Sequence, residues 1–469
     1  MSSFAGRLKE YPHFSVDCFD RNSLDCDVYF LSHCHQDHMS GMDSAAFHHR
    51  LQTSPNAFIY CSETTRNILL CDERYKHLKM YLFGLPIEHL TNITYNNTEN
   101  GKSETISVTL LSAGHCIGSV MFLFEGVAGT VLYTGDFRWS KGDASRISFF
   151  HSGDSVKDIS SIYVDTTFYL SQMKHIPTRN STKNAVIKLI KRWLSKGSNY
   201  YVSLLCKGMY GYEYLLKEVA MALNTKIHVS AERLSLYKNL PDMIKHFTIK
   251  AEDTRIHCCN WQHIRNVNSK LPCGYSLPAP VKVNVIKIKA TSMFFARRTN
   301  PLPGDGIFQV DKDFFRVVHS MHASMEEIID LVSYLRPLNV YPTVEPAGIH
   351  SLKDTQESLQ QYTRCEVKMN KTIKNTPTSR DADEENPTSF KEQKSSVFSG
   401  ASLLRYTPSV EVLAECRQLG LENENFMGLS RRRKRRNNQS PNGRASCEIK
   451  NVCTDSTEVP HEKCRIVDS

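Results

Sequence analysis

Three histidines and one aspartate fall within six residues near the start of the sequence. The stretch HCHQDH (residues 33–38) follows a short β-like run, DVYF, after Leu31 and Ser32. Side chains two residues apart in an extended segment point to the same face, so His33 and His35 can bind one metal ion. Asp37 and His38 follow where the chain turns into a helix and can be directed at a second metal. A lone histidine is more often a satisfied core residue, but this cluster after a strand indicates a metal site.

More residues of metal-ligating type stand in the loops after predicted strands. His115 ends the segment LLSAGH, and Asp136 ends VLYTGD, in which Gly135 permits a close approach of the backbone. Asp165 ends the segment IYVD in the same way. A carboxylate in that place can be merely the cap of the next helix, and this alternative stays open for Asp165.

These motifs, in this order, resemble the metallo-β-lactamase fold. The flanking sequences FLSHCHQDHMSG, AGHCIGSVMFLF, VLYTGDFR and YVDTTF are similar to its β-CASP branch, which cuts nucleic acids, and within that branch to the DNA cross-link repair nucleases. The resemblance covers about the first 350 residues. It implies one or two active-site zinc ions, and zinc lowers the pKa of a bound water to about 7. The implied ligands are His33, His35, Asp37, His38, His115 and Asp136, with Asp17 as a supporting carboxylate.

The same resemblance implies which groups assist the reaction. In the β-CASP branch a carboxylate and a histidine protonate the leaving 3′ oxygen. The matching residues are Asp165 and His322, and Asp37 is a further predicted catalytic residue. His319, in the same segment VHSMHAS, remains the alternative to His322. RNA-processing members carry a metal-binding histidine near the end of the fold, whereas this chain has Val344, so the resemblance implies DNA as the substrate and a second metal site that is weaker or empty.

A further metal site is predicted in the middle of the chain. His257 and Cys259 form an H-x-C pair in a predicted strand with both side chains on one face, and His228 and Cys273 can complete a tetrahedron. The spacings are long and irregular, so the pattern alone favours a set of buried thiols. The positions resemble a structural zinc site of the DNA cross-link repair group, which favours zinc. Cys258 is the competing ligand.

Composition excludes several other classes of protein. The 469-residue chain carries a net charge of +9 and a pI near 8.7, which suits a polyanionic partner. Fifteen cysteines, an odd number spread over a long chain, do not resemble a secreted disulfide framework. The N-terminus lacks the apolar core of a signal peptide, and no run approaches a membrane span. The sequence predicts the cytosol or the nucleus, and the resemblance implies the nucleus.

Alternating strands and helices predict an α/β protein of several domains. From the resemblance we expect a metallo-β-lactamase αββα sandwich interrupted by an inserted α/β β-CASP domain. The expected segments are 1–165 for the first part of the sandwich, 166–305 for the β-CASP domain, 306–355 for the return to the sandwich, and 356–469 for a disordered tail. Six consecutive basic residues at 431–436 predict a nuclear import signal or a nonspecific DNA clamp, with an ordinary solvated tail as the alternative.

A strand, a glycine turn and a helix follow one another in the inserted domain. The predicted strand 201–205 leads through CKGMYG into the predicted helix 212–223, an arrangement that presents backbone N–H groups to an anion. Lys207 in this turn is the phosphate-binding candidate. An ordinary turn with a solvated lysine is the alternative.

The chain departs from the family pattern at three positions. Ile117 replaces the proline of HCPGSV, which alters the stiffness of the loop rather than the chemistry. Gln36 and Ser40 stand where a similar family member has lysines beside the zinc cluster. The strength of phosphate contacts near the site is therefore open.

The leading hypothesis is a zinc-dependent DNA nuclease. The resemblance implies 5′–3′ exonuclease action, hairpin opening and overhang trimming in nonhomologous end joining and V(D)J recombination. It also implies the DNA-dependent protein kinase and the DNA ligase IV complex as partners, and Mg²⁺ or Mn²⁺ as alternative metals in assays. A small-molecule hydrolase is disfavoured by the inserted domain and by Asp165 and His322. An RNA nuclease is disfavoured by Val344, and a nonenzymatic DNA-repair scaffold by the complete set of first-site ligands.

Overall fold

The computed structural model describes residues 3–54, 57–97, 101–206, 208–259, 270–271, 273–276, 282–298 and 302–364. Two predictions lie outside these residues: the phosphate-binding role of Lys207, and the tail beyond residue 364 with its basic block. Within the described residues, no helix is long and apolar enough to cross a membrane.

Two β-sheets carry most of the predicted metal ligands. The strands of the first sheet, all parallel, are in order β1 (Phe14–Val16), β2 (Val28–Phe30), β3 (Ile59–Ser62) and β4 (Leu82–Leu85). The strands of the second are, from edge to edge, β19 (Asn339–Pro342), β11 (Ser161–Val164), β8 (Gly129–Tyr133), β7 (Val120–Gly126), β6 (Ser103–Ser112) and β5 (Leu90–Asn96). A two-stranded hairpin precedes β11 and consists of β9 (His151–Ser152) and β10 (Ser155–Val156).

A third sheet forms the core of the inserted domain. Its strands are, from edge to edge, β14 (Phe247–Thr248), β13 (Ile227–His228), β15 (Ile256–His257), β12 (Tyr200–Leu205), β16 (Asn284–Ala290), β18 (Phe314–Val317) and β17 (Ile307–Asp311). All neighbours pair in parallel except β17, which runs antiparallel to β18. The sheet continues to Val317, past the predicted domain boundary at residue 305. The sequence FFRV there has a strand pattern that suits either domain, so pattern alone could not assign it.

α-Helices flank the three sheets. In chain order the described α-helices are α1 (Ala45–Thr53), α2 (Glu63–Leu69), α3 (Arg179–Leu194), α4 (Glu213–Ala222), α5 (Ala231–Leu236), α6 (Pro241–Ile244), α7 (Met293–Ala296), α8 (Met325–Leu335) and α9 (Leu352–Gln360). The helix predicted at 212–223 is thereby confirmed as α4.

The first domain is built from four stacked layers. Phe47 of α1 and Ile68 of α2 pack on the outer face of the first sheet. Phe30 of β2 and Phe122 of β7 meet between the two sheets, with ring centroids 5.3 Å apart. The outer face of the second sheet packs against α8 through Leu331. This is the predicted αββα sandwich, and the α/β fold with an inserted domain is confirmed.

The described chain remains helical beyond residue 356, where the tail was predicted to begin. Thr355 and Leu359, four residues apart on α9, are both buried. Leu359 packs in the same core as α8. Because residues at this spacing share one face of a helix, the amphipathic pattern crosses the predicted boundary.

A capping box fixes the segment that leads out of the inserted domain. Ser324 accepts a hydrogen bond from the backbone of Glu327, and the Glu327 carboxylate accepts one in return from Ser324 N at 2.7 Å. This reciprocal cap begins α8 at Met325. It therefore also sets the chain direction immediately after His322.

The predicted functional residues stand in loops that leave strand ends. His33 follows β2, His115 follows β6 and Asp136 follows β8, while Asp165 directly follows β11. His322 arrives from the end of β18, the strand that leads out of the inserted domain. Loops held by rigid sheets are the usual place for functional side chains, because the sheet fixes their positions.

Candidate metal centre

Four of the predicted ligands converge on one point. One ligand atom from each of His33, His35, His115 and Asp136 lies within 4.8 Å of the others. The Nδ1 atom of His35 is 3.1 Å from His33 Nε2 and 2.9 Å from His115 Nε2. Two nitrogens that share one tetrahedral zinc lie roughly 3.3 Å apart, so these separations suit neighbouring ligands of a single ion.

Asp136 faces histidines on two sides. Its Oδ2 atom lies 3.6 Å from His33 Nε2 and 3.5 Å from His115 Nε2. Its Oδ1 atom lies 3.3 Å from His38 Nε2, a buried nitrogen without a hydrogen-bond partner in the described part of the chain. An orphaned nitrogen beside a carboxylate oxygen fits a second metal position, with Asp136 between the two.

Asp17 holds His38 from behind. Its backbone has φ 55°, a left-handed conformation that is uncommon outside glycine. The Asp17 Oδ2 atom accepts hydrogen bonds from His38 Nδ1 (2.8 Å), Ser32 Oγ (2.6 Å) and Tyr133 OH (2.9 Å). Because Nδ1 of His38 is occupied in this way, Nε2 is the atom left to face Asp136. This is the arrangement of a supporting carboxylate behind a ligating histidine.

Asp37 is placed differently from the other predicted ligands. It lies in the 3₁₀ helix Gln36–His38 and is exposed. Among the described residues, the converging groups contain the neighbouring histidines but not Asp37. Burial lowers the pKa of His35, and the charge of Asp37 acts on that pKa in the opposite direction. The structure therefore places Asp37 at the rim of the cluster.

Burial keeps the imidazoles of the first group neutral. It lowers the pKa of His33 and His115 well below the usual value, and the surrounding histidines add to the effect. Metals bind neutral imidazole, so these rings are ready to ligate without losing a proton. His38 is the exception. Burial lowers its pKa, but the carboxylates of Asp136 and Asp17 outweigh burial and raise it well above the usual value.

His322 is the histidine that reaches Asp165. Its Nδ1 atom donates to Asp165 Oδ2 at 2.8 Å and lies 3.8 Å from Asp136 Oδ2. Asp165 is buried and also accepts hydrogen bonds from Thr167 N (2.9 Å) and Thr167 Oγ1 (2.6 Å). Burial would lower the pKa of His322, but the two carboxylates raise it. The pair thus shares Asp136 with the metal-ligating group.

His319, the alternative, has a different environment. Its ring is buried, and neither nitrogen has a hydrogen-bond partner within the described residues. Burial, with the nearby positive charges of Arg179 and Arg138, lowers its pKa to about 3. The ring is therefore neutral at physiological pH, and the preference for His322 rests on its bond to Asp165.

Val344 lies beside the strand end that carries Asp165. Its side chain is buried, and its carbonyl accepts a hydrogen bond from Thr166, the residue after Asp165. An aliphatic side chain offers no ligand atom, so Val344 adds nothing to the second metal position.

The second predicted metal cluster also comes together. His228, His257, Cys259 and Cys273 each place a ligand atom within 4.8 Å of the others. His257 Nδ1 lies 3.0 Å from His228 Nδ1 and 3.7 Å from Cys273 Sγ. Nitrogen and sulfur ligands of one tetrahedral zinc are roughly 3.6 Å apart, so the set fits that ion. His257 Nε2 donates to Thr254 O at 3.1 Å, which orients the ring.

Cys258, the competing ligand, points to another partner. Its Sγ atom accepts a hydrogen bond from Arg233 Nη1 at 3.0 Å, and Arg233 also donates to the carbonyl of Gly208. The converging group of described residues contains Cys259 and not Cys258. Successive residues of an extended segment point to opposite faces, which explains the difference.

Two arginines next to the centre were not predicted from the sequence. Arg138 forms an ion pair with Glu327 and donates to His322 O at 3.3 Å. Arg179 donates to His115 O at 3.0 Å and to Ser320 O at 3.2 Å. These contacts join segments that are far apart in the sequence. Their acceptors are backbone carbonyls, which every residue type has, so the sequence does not reveal them. Arg138, two residues after Asp136 in GDFR, offered the only local signal.

Comparisons with known proteins show what the chain is similar to. Residues 241–348 match the family model described as DNA repair metallo-beta-lactamase. The chain is 42% identical over 352 residues to Protein artemis from Gallus gallus, covering 74% of this chain and 48% of that protein. It is 41% identical to Protein artemis from Homo sapiens, covering 74% and 50%, and 30% identical to 5' exonuclease Apollo from Rattus norvegicus, covering 68% and 52%.

The relatives match most of this chain, but the chain does not cover the whole of the relatives. The chain spans about half the length of the curated relatives it matches. The residues that the family model matches include His257, Cys259, Cys273, His322 and Val344. Residues 241–348 match the DNA repair metallo-β-lactamase family, and over the part that it shares with these proteins the chain is Artemis-like.

Proposed function

We propose that the chain is a zinc-dependent nuclease that hydrolyses phosphodiester bonds in DNA. The observation that carries the proposal is the sharing of Asp136. Its Oδ2 atom faces His33 and His115 on one side and His322, at 3.8 Å, on the other. The metal site and the hydrogen-bonded pair of Asp165 and His322 thus both border the carboxylate of Asp136. Hydrolysis of a phosphodiester with a poor leaving group requires these two kinds of group close together.

Each group has a separate task in this mechanism. When bound, zinc supplies a water of lowered pKa and a positive charge against the phosphoryl oxygens. His33, His35, His115 and Asp136 would hold it, and His38 with Asp136 Oδ1 would hold a second ion. Asp165 accepts a hydrogen bond from Nδ1 of His322 and thereby fixes the orientation of the ring. The imidazole can then supply a proton to the leaving 3′ oxygen. The hydrogen bonds from Thr167 keep the Asp165 carboxylate in place.

DNA is favoured over RNA and over small molecules. Val344 leaves the second metal position without an added histidine, which the β-CASP resemblance links to DNA-processing members. A small-molecule hydrolase needs neither the inserted domain nor the pair of Asp165 and His322. The matched family model, described as DNA repair metallo-beta-lactamase, supports DNA, and the name 5' exonuclease Apollo supports a nucleic acid over a small molecule.

The wider role follows from the Artemis resemblance. We propose 5′–3′ exonuclease action on single strands, hairpin opening and overhang trimming, in nonhomologous end joining and V(D)J recombination. The nucleus is the compartment, and DNA ends, the DNA-dependent protein kinase and the DNA ligase IV complex are the partners. The net charge of +9 suits the polyanionic substrate.

The first test is a cleavage assay on four substrates. Purified protein, stripped by chelator and then reloaded with zinc, receives 5′-phosphorylated single-stranded DNA, hairpin DNA, matching RNA and a chromogenic β-lactam. We expect cleavage of both DNAs, loss of cleavage on stripping, and recovery on adding zinc. Turnover of RNA or lactam without turnover of DNA would refute the proposal.

We also propose that His228, His257, Cys259 and Cys273 bind a structural zinc ion. Structural zinc contributes its binding free energy to folding. Cys259→Ser should therefore remove one zinc per chain and lower the Tm. A loss of about 3 kcal/mol corresponds to roughly 6–12 °C in a domain of this size.

Zinc content and thermal unfolding would be measured together. Cys71→Ser is the matched control, since Cys71 is a half-buried thiol outside the cluster that donates to Asn67 O at 3.2 Å. Equal zinc content and equal Tm in Cys259→Ser and Cys71→Ser would rule out the structural site.

A further inference from the structure

Two arginines and two phenylalanines form a stacked cluster at one edge of the inserted domain. The Arg316 guanidinium lies 3.8 Å from the ring centroid of Phe294. The Arg298 guanidinium lies 5.0 Å from the centroid of Phe294 and 5.3 Å from that of Phe308. All four side chains are half-buried. We call these residues, Phe294, Arg298, Phe308 and Arg316, the arginine–phenylalanine cluster.

The strands place this cluster on one face of the sheet. Phe308 of β17 is the cross-strand partner of Arg316 on β18, and Lys289 of β16 is the partner of Arg316 on its other side. On β18 the neighbours Phe315 and Val317 are buried in the domain core, so Arg316 points away from it.

The positive charges of Arg298 and Arg316 lack a carboxylate partner among the residues that the structure describes. Arg316 Nε is buried and has no hydrogen-bond partner there. Buried polar groups are normally hydrogen-bonded, and guanidinium groups match phosphate in geometry. The half-buried guanidinium groups of Arg298 and Arg316 therefore suit an anion with the chemistry of a phosphodiester.

The cluster is connected to the catalytic pair. Phe294 and Phe308 pack against a core that contains Phe168 and Val318. The ring of Phe168 lies edge-on to the ring of His322, with centroids 5.6 Å apart. Arg316 precedes His322 by six residues, which limits their separation to roughly 20 Å. A strand of a few nucleotides held at His322 can reach the cluster.

We propose that the arginine–phenylalanine cluster binds single-stranded DNA that leads away from the bond being cut. Arg298 and Arg316 contact backbone phosphates, and the aromatic faces add sequence-tolerant stacking of bases. This inference rests on the proposed nuclease function. It adds a binding site for the strand beyond the scissile phosphate, held by the inserted domain and not by the metal ligands.

The test compares Arg298→Ala with a matched control at the opposite edge of the same sheet. Lys245→Ala removes the same charge next to β14, roughly 30 Å from β17 at the usual strand spacing. Affinity for fluorescein-labelled single-stranded DNA would be measured by anisotropy on Asp165→Asn protein, which prevents cleavage during the titration. KM and kcat would be measured on the active zinc-loaded protein.

We expect Arg298→Ala to raise the Kd for single-stranded DNA roughly tenfold and to reduce the slope of log Kd against log salt by about 0.7, the value for one lost phosphate contact. KM should rise by a similar factor while kcat stays unchanged. Lys245→Ala should match the parent protein. A second variant, Arg298→Gln, covers the case in which Arg298→Ala does not fold, because the longer glutamine side chain can still pack on Phe294. Arg298→Gln should show the same loss of affinity for single-stranded DNA.

The outcomes separate this inference from the proposed function. If the parent protein cleaves DNA but Arg298→Ala and Arg298→Gln bind it as tightly as Lys245→Ala, the cluster is not a DNA site. A loss of affinity for a matching RNA alone would equally overturn the inference. If the parent protein cleaves no DNA at all, the nuclease function fails, whatever the anisotropy shows.

Discussion

Asp136→Asn is expected to lower kcat/KM for DNA by about 10³-fold or more, because it removes the carboxylate proposed to hold the metal that activates the attacking water. The substitution keeps the size of the side chain and removes its charge. Its oxygens lie 3.3–3.6 Å from the Nε2 atoms of His33, His38 and His115, so it faces both proposed metal positions. We expect zinc in the active site to fall at the same time.

Zinc per chain after dialysis and initial rates on 5′-phosphorylated single-stranded DNA would check this result. Asp354→Asn is the control, because it makes the same chemical change at an exposed position on α9. The cluster of His228 and Cys259 should keep its metal in both variants, so the loss should be confined to the active site. A variant that keeps its zinc and more than a tenth of the parent rate would contradict the proposed role of Asp136.

The convergence of the first metal group was predictable because its parts are local. His33 and His35 alternate in an extended segment, and His115 and Asp136 stand directly after strands that the alternation of residues reveals. Each signal occupies only a few residues. Given the order of strands in the sandwich, these loops must leave the sheets at one edge, which brings the ligands together.

The supporting contacts were less predictable because they depend on distant backbone atoms. Arg179 binds the carbonyls of His115 and Ser320, and any residue type could supply those acceptors. The rim position of Asp37 depends on the 3₁₀ helix that follows His35, which a spacing argument does not resolve. The uncompensated charge at Arg316 was likewise invisible, since the sequence does not show which cations lack a carboxylate.

His322→Gln is expected to lower kcat on DNA by about 10²–10⁴-fold, the usual contribution of a positioned general acid, and to leave the zinc content unchanged. His322 donates to Asp165 at 2.8 Å and converges with Asp136 and Asp165, a group separate from the one that contains His33 and His35. His319→Phe is the matched control, because both nitrogens of His319 are buried without partners in the described chain. That change should alter kcat by less than about threefold, under roughly 1 kcal/mol.

The choice of substrate makes the test specific for proton transfer to the leaving oxygen. On thymidine 5′-(p-nitrophenyl phosphate) the phenolate leaves without needing a proton, so His322→Gln should regain most of the parent rate. A role of His322 in holding metal or in folding would instead depress both substrates equally. Since burial combined with the charges of Asp165 and Asp136 leaves the pKa of His322 above its usual value, the ring can be protonated at neutral pH, as an acid must be. A larger loss for His319→Phe than for His322→Gln would reverse the assignment of the two histidines, and with it the role given to Asp165.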